Sequence, residues 1–144
     1  MNDYKEFLLF LDNNIFMGKS TIKEVLLSIK NKQNKIKTLI ESELEYFESL
    51  SKTLEKILKK EKISTQNNIL TNKMVSTNIK ISIMKDNSDS KIADMLIKGY
   101  TMGILDLTRK TNNYKDEVNH SIYKVANDLL SFEKRCIKEL NEFI

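Results

Sequence analysis

Apolar residues recur by threes and fours along the first thirty positions. Tyr4, Phe7, Leu11, Ile15, Gly18, Ile22, Val25 and Ile29 fall on one stripe, which predicts a helix over residues 3–30. A short polar break, Asn31-Lys32-Gln33-Asn34, separates it from a second stripe on Ile36, Ile40, Leu44, Phe47, Leu54 and Leu58, predicting a helix over 34–61. A turn this short makes the two helices antiparallel neighbours. The polar stretch 62–72 loses the pattern, and a short helix is expected over 73–84 on Val75, Ile79 and Ile83. Asp86-Asn87-Ser88-Asp89-Ser90 then supplies five residues suited to caps, so a kink or restart is expected there. Ile92, Leu96, Tyr100, Gly103 and Leu107 predict a helix over 90–112. Val118, Ile122, Val125, Leu129, Phe132, Cys136, Leu140 and Phe143 predict a last one, with Asp116 as its N-cap.

The chain therefore reads as an all-α protein, a four-helix bundle of two antiparallel hairpins in one domain, residues 1–144. The hairpins are 1–60 and 90–144, and 61–89 connects them. Laying Met17-Gly18 on Met102-Gly103 also lays Phe47-Glu48 on Phe132-Glu133, Leu11 on Leu96 and Leu44 on Leu129, the pattern of a duplicated hairpin. A helix of this length spans roughly 40 Å, and the connection is long enough to run back along it. That makes the second and third long helices parallel through a long crossover; a plain up-down-up-down bundle is the alternative.

The 144 residues include no proline and three glycines, so helix breakers are nearly absent. One cysteine, Cys136, excludes an internal disulfide framework and favours a reducing compartment; cytoplasm is the expectation. No window has the roughly 18 apolar residues a membrane span needs, and the N-terminal run is too short for a signal peptide, so no membrane role is expected. The formal net charge of +4 and pI near 9.0 raise nucleic acid as a partner. The positive charge is nearly all lysine, with Arg109 and Arg135 the sole arginines, and it alternates with glutamate along helical faces; this weighs against that partner.

Glu48 and Glu133 are the first candidates for chemistry, since the duplication makes them equivalent and Glu133 has apolar residues at its helical neighbour positions. A buried carboxylate must be paired, protonated or metal-bound. Two readings stand: the pair binds a divalent metal or shares a proton, or both lie at the edge of their stripes and reach water. Gly18 and Gly103 each cost about 1 kcal/mol relative to alanine inside a helix, and packing of Phe47 and Phe132 across the bare backbone is the expected return. Met17 and Met102 read as core filler and Cys136 as a small buried hydrophobe. Edge leucines Leu27, Leu50 and Leu105 make a homodimer an expected partner state. No Ser-His-Asp set, phosphate loop or Cys/His cluster of metal spacing is present.

The segment Met84–Ile104, with Asn14 and Met17-Gly18 in the first helix and Phe132-Glu133 in the last, resembles a family of small clostridial and other Firmicute helical-bundle proteins. The resemblance covers most of the chain and implies a ferritin-like fold, with no activity attached. Ferritin-like di-iron proteins use a Glu from each of two helices and a Glu-x-x-His from each of the other two. Glu117 and His120 form one such pair, but Glu45 and Glu48 stand at the equivalent place without an imidazole. The full iron set is therefore absent. The expected function is that of a non-enzymatic ferritin-like bundle acting by surface interaction or self-association. A reduced carboxylate metal site and weak nucleic-acid binding are the alternatives.

Overall fold

The computed structural model describes residues 3–65, 69–114 and 119–144. They form five helices: α1 (Asp3–Ser28), α2 (Lys37–Lys60), α3 (Ile69–Lys85), α4 (Asp89–Tyr114) and α5 (His120–Leu140). A single 3-10 turn, Asn141–Phe143, follows. No strand occurs among the described residues.

The ends follow local chemistry. α2 stops at a left-handed turn, with Lys62 at φ 56° and the Ile63 amide donating back to the Leu58 carbonyl at 2.9 Å. α3 and α4 are separated where the cap-rich run was expected to interrupt them: the Ser88 hydroxyl accepts from the Lys91 amide at 3.2 Å, and Asp86 accepts from the Ser88 amide at 3.0 Å. Two differences from expectation are small. α3 begins at Ile69 rather than residue 73. α5 is capped by Asn119, whose Oδ1 accepts from the Ile122 amide at 3.1 Å, while the expected cap Asp116 lies outside the described residues.

Contacts between helices fix their directions. Along α1 and α2, Asp12 neighbours Glu55, Gly18 faces Phe47 and Lys19 donates to the Ser51 hydroxyl, so the two run antiparallel. α1 also runs antiparallel to α4. At one end the Tyr114 hydroxyl donates to Glu6, and at the other Asn34 and the Lys35 amide donate to the Asp89 carboxylate. α5 opposes α2 in the same sense, with Tyr46 stacked on Phe132 and Glu43 beside Cys136, and it also packs on α4. α3 lies against α1 and runs parallel to it: Lys80 pairs with Glu24 at 3.4 Å, Val75 lines the same hollow as residues 10–22 of α1, and Met84 the same hollow as residues 24–28.

The core these contacts enclose holds Phe7, Leu11, Ile22, Ile40, Phe47, Leu54, Ile92, Leu107 and Leu129, all essentially without solvent exposure. Burying each such side chain contributes about 1.5–3 kcal/mol. Among the described residues no helix is long and apolar enough to cross a membrane. Of the three expected edge leucines, Leu27 and Leu105 are exposed, but Leu50 is buried. It occupies the stripe between Phe47 and Leu54, at helical spacing from both.

Candidate functional site

The chain has three glycines, all in helix interiors, and all three line one cavity. The cavity has a volume of about 440 Å³ and lies between α1 and α4, with Val75 of α3 at its edge. Asn13, Asn14, Met17, Gly18 and Thr21 form the α1 wall; Met95, Gly99, Met102, Gly103 and Asp106 form the α4 wall. Phe47, Tyr100 and Glu133 reach it from α2, α4 and α5.

Each glycine makes room for something different. A Cβ on Gly18 would stand 2.5 Å from Cζ of Phe47, so the bare backbone admits that ring. On Gly103 it would stand 3.1 and 3.3 Å from the two carboxyl oxygens of Glu133. The neighbour of Gly103 is therefore Glu133 rather than Phe132, which instead stacks on Tyr46 at 4.1 Å and meets Phe47 edge-on at 5.0 Å. On Gly99 a Cβ would meet nothing within 4 Å, so this glycine leaves open space. Alanine at Gly99 should raise stability by about 1 kcal/mol through helix propensity. That corresponds to a Tm gain of about 2–4 °C by calorimetry, and no gain would mean that the position is not an unstrained helix interior.

Glu133 is the group that gives the cavity chemistry. It is 4% exposed, and its Oε2 is buried with no hydrogen-bond partner. Burial alone pushes its carboxyl group up to about 8, with no charge or hydrogen bond offsetting it. At neutral pH it is mainly a protonated acid, able to donate one hydrogen bond and accept others.

Behind the cavity wall, Tyr100 turns its hydroxyl to a second buried acid and donates to Oε1 of Glu43 at 2.6 Å. Burial raises Glu43 to about 7; the Tyr100 and Cys136 hydrogen bonds act against that rise and Glu139 adds to it. Burial likewise pushes up the Cys136 thiol and the Tyr100 phenol. Cys136 is thus held as a neutral thiol, an environment opposite to that of a reactive cysteine.

Comparison with protein-family models, curated proteins and solved structures finds no match. What the site can do rests on its own geometry.

The residues singled out from the sequence part company here. Glu133 is inside, whereas Glu48 is exposed on α2, so the two do not share an environment. His120 is exposed at the first position of α5, and Glu117 lies outside the described residues. Among the described residues no three His, Cys, Asp or Glu side chains converge in a way that could hold a metal ion. The acid that sequence reasoning missed is Glu43. Its signal was present, since residue 43 lies between Ile40 and Phe47 on the very stripe that defined α2, and a carboxylate at a core position marks either a network or a site.

A second hollow, of about 450 Å³ between α1 and α3, lacks this character. Its buried acid, Glu24, is already paired with Lys80.

Proposed function

We propose that the chain is a non-enzymatic binding protein, a ferritin-like four-helix bundle of α1, α2, α4 and α5 in which α3 serves as the crossover. Its working part is the groove between α1 and α4, which takes a small, largely apolar molecule carrying one polar group. The opposed directions of the touching helices, and the parallel course of α3 along α1, support the bundle. The observation that carries the function is Glu133: a buried acid with an unpartnered oxygen, in the lining of a cavity of about 440 Å³. Leaving such an oxygen unsatisfied costs about 1–3 kcal/mol, and a ligand's polar group offsets that. Mostly apolar walls with a few convergent polar groups are the usual make-up of small-molecule sites. Met17, Met95 and Met102 add walls that adapt to different shapes.

The test uses a neutral fluorescent probe, naphthylethanol, against the tyrosine-only background of a chain without tryptophan. Binding to the wild type is expected, with a loss of about tenfold or more in Gly99→Leu, whose side chain enters the open space, at unchanged helix content. Equal binding by both proteins, or none by either, would overturn the groove.

A further inference from the structure

We infer that the ligand class of this groove is an apolar organic amine, bound as its ammonium ion beside the carboxyl group of Glu133. This deepens the groove reading and rests on it.

The lining is one-sided in charge. Its ionisable carboxyl groups are Glu133, which is buried, and Asp106, exposed on the α4 wall, and among the described residues no lysine or arginine lines it. Lys110 stands 5.7 Å from the centroid of the Phe10 ring and is not part of the lining. An anionic ligand would meet Asp106 with no base in the lining to offset it, which disfavours it. A cation meets the reverse. It finds the carboxyl group of Glu133 in the lining and that of Asp106 at the wall, with the aromatic side chains of Phe10, Phe47 and Tyr100 contributing apolar surface. The amides of Asn13 and Asn14 and the hydroxyl of Thr21 supply neutral acceptors along α1. A purely neutral ligand would satisfy the acid with one ordinary hydrogen bond, whereas an ammonium makes a charge-assisted one, roughly twice as strong.

The proton balance follows. In the free protein the Glu133 carboxyl is held neutral by burial. An ammonium ion arriving beside it favours the ionised form, so the acid proton leaves to the buffer and an ammonium–carboxylate pair remains. At pH 7, about a unit below the value to which burial raises the acid, close to one proton is released per complex. The other titratable groups facing Glu133 across the cavity are Tyr100 and Asp106, both on α4. The lining residues of α1, α2 and α3 contribute none. Glu43, on α2, lies on the hydroxyl side of Tyr100.

Three probes of one shape test this: naphthylethylamine, naphthylethanol and naphthylacetate, titrated at pH 7 by fluorescence and by calorimetry in two buffers of different ionisation enthalpy. The amine is expected to bind about tenfold tighter than the alcohol, with the acetate weakest. In Glu133→Gln the amine's advantage should shrink to about twofold, because the amide cannot become an anion. In the wild type, the two buffers should report the released proton, a readout that needs no variant. Alcohol binding as tight as amine binding and blocked by Gly99→Leu would overturn the amine and leave the groove standing. An amine preference that survives in Glu133→Gln, or amine binding without proton release, would also overturn it. No binding by any of the three would remove both.

Discussion

Gly18→Ala is expected to destabilise the protein by about 1–3 kcal/mol, as overpacking of a filled core does, which lowers Tm by roughly 3–9 °C. The sign is the informative part. In an unconstrained helix interior the same change gains about 1 kcal/mol, which is the expectation for Gly99. At Gly18 the new methyl group would lie 2.5, 2.7 and 3.0 Å from three carbons of the Phe47 ring. That ring is 1% exposed, edge-on to Phe132 at 5.0 Å and nearly parallel to Tyr100 at 6.3 Å, so it cannot swing aside without moving two other aromatics. The strain therefore falls on the seam between α1 and α2. Urea unfolding followed by far-UV circular dichroism would measure it. Phe47→Leu, which shortens the ring side, should recover part of the loss in the double variant, giving a coupling of about 1 kcal/mol or more. A stabilised Gly18→Ala protein would mean that Phe47 yields freely and that the glycine has no packing role.

The long helices were legible because their signal is redundant. α1, α2, α4 and α5 each repeat their apolar stripe over several turns, without proline, and the bounds expected for α1, α2 and α4 fall within a few residues of those observed. Their junctions were less so. Between Asn112 and Asn119 several residues can cap a helix, and pattern alone does not choose among them; the choice of Asn119 depends on its Oδ1 reaching the Ile122 amide. α3 was the hardest element, since Ile79 and Ile83 are the buried ones among its described side chains and Val75 is half-buried. A helix that packs mainly on α1 needs only a narrow seam, and a narrow seam is a weak pattern.

The candidate site was half legible for a related reason. Phe47-Glu48 and Phe132-Glu133 are the same dipeptide, and in each helix the glutamate lies about 100° around from a buried ring. Which side of the stripe is widened decides its fate. In α5 the buried set includes Ala126, Glu133 and Cys136, so the stripe extends over Glu133. In α2 it extends the other way, through Glu43 and Leu50 with half-buried Leu39 and Tyr46, and Glu48 is left in water. The repeat in sequence is thus broken by which neighbours each helix acquires, and that is a property of the assembled fold. Glu43 could be read from spacing; its pairing with Tyr100, fifty-seven residues away, could not.

Raising the pH from about 5.5 to 8.5 should weaken the wild-type fold by about 3 kcal/mol through Glu133. The sign follows from the direction of the shift. Burial lifts this carboxyl from its ordinary 4.5 to about 8, so the folded state holds the proton more tightly than the unfolded chain does. Its contribution to stability is fully present below about pH 4.5 and is lost as pH rises toward 8, where the folded acid must itself ionise in an apolar surrounding. Glu43, raised to about 7, acts in the same direction over a narrower window, and its Tyr100 hydrogen bond favours the ionised form. Glu133→Gln keeps the shape and removes the titration. Near pH 5 its stability should be close to that of the wild type, and at pH 8.5 it should be the more stable of the two by about 2–3 kcal/mol. Urea unfolding of both proteins across this range would show the two curves diverging upward in pH. Parallel curves would mean that Glu133 is hydrated or paired in solution, and the cavity would then lose the buried acid on which the proposed binding rests.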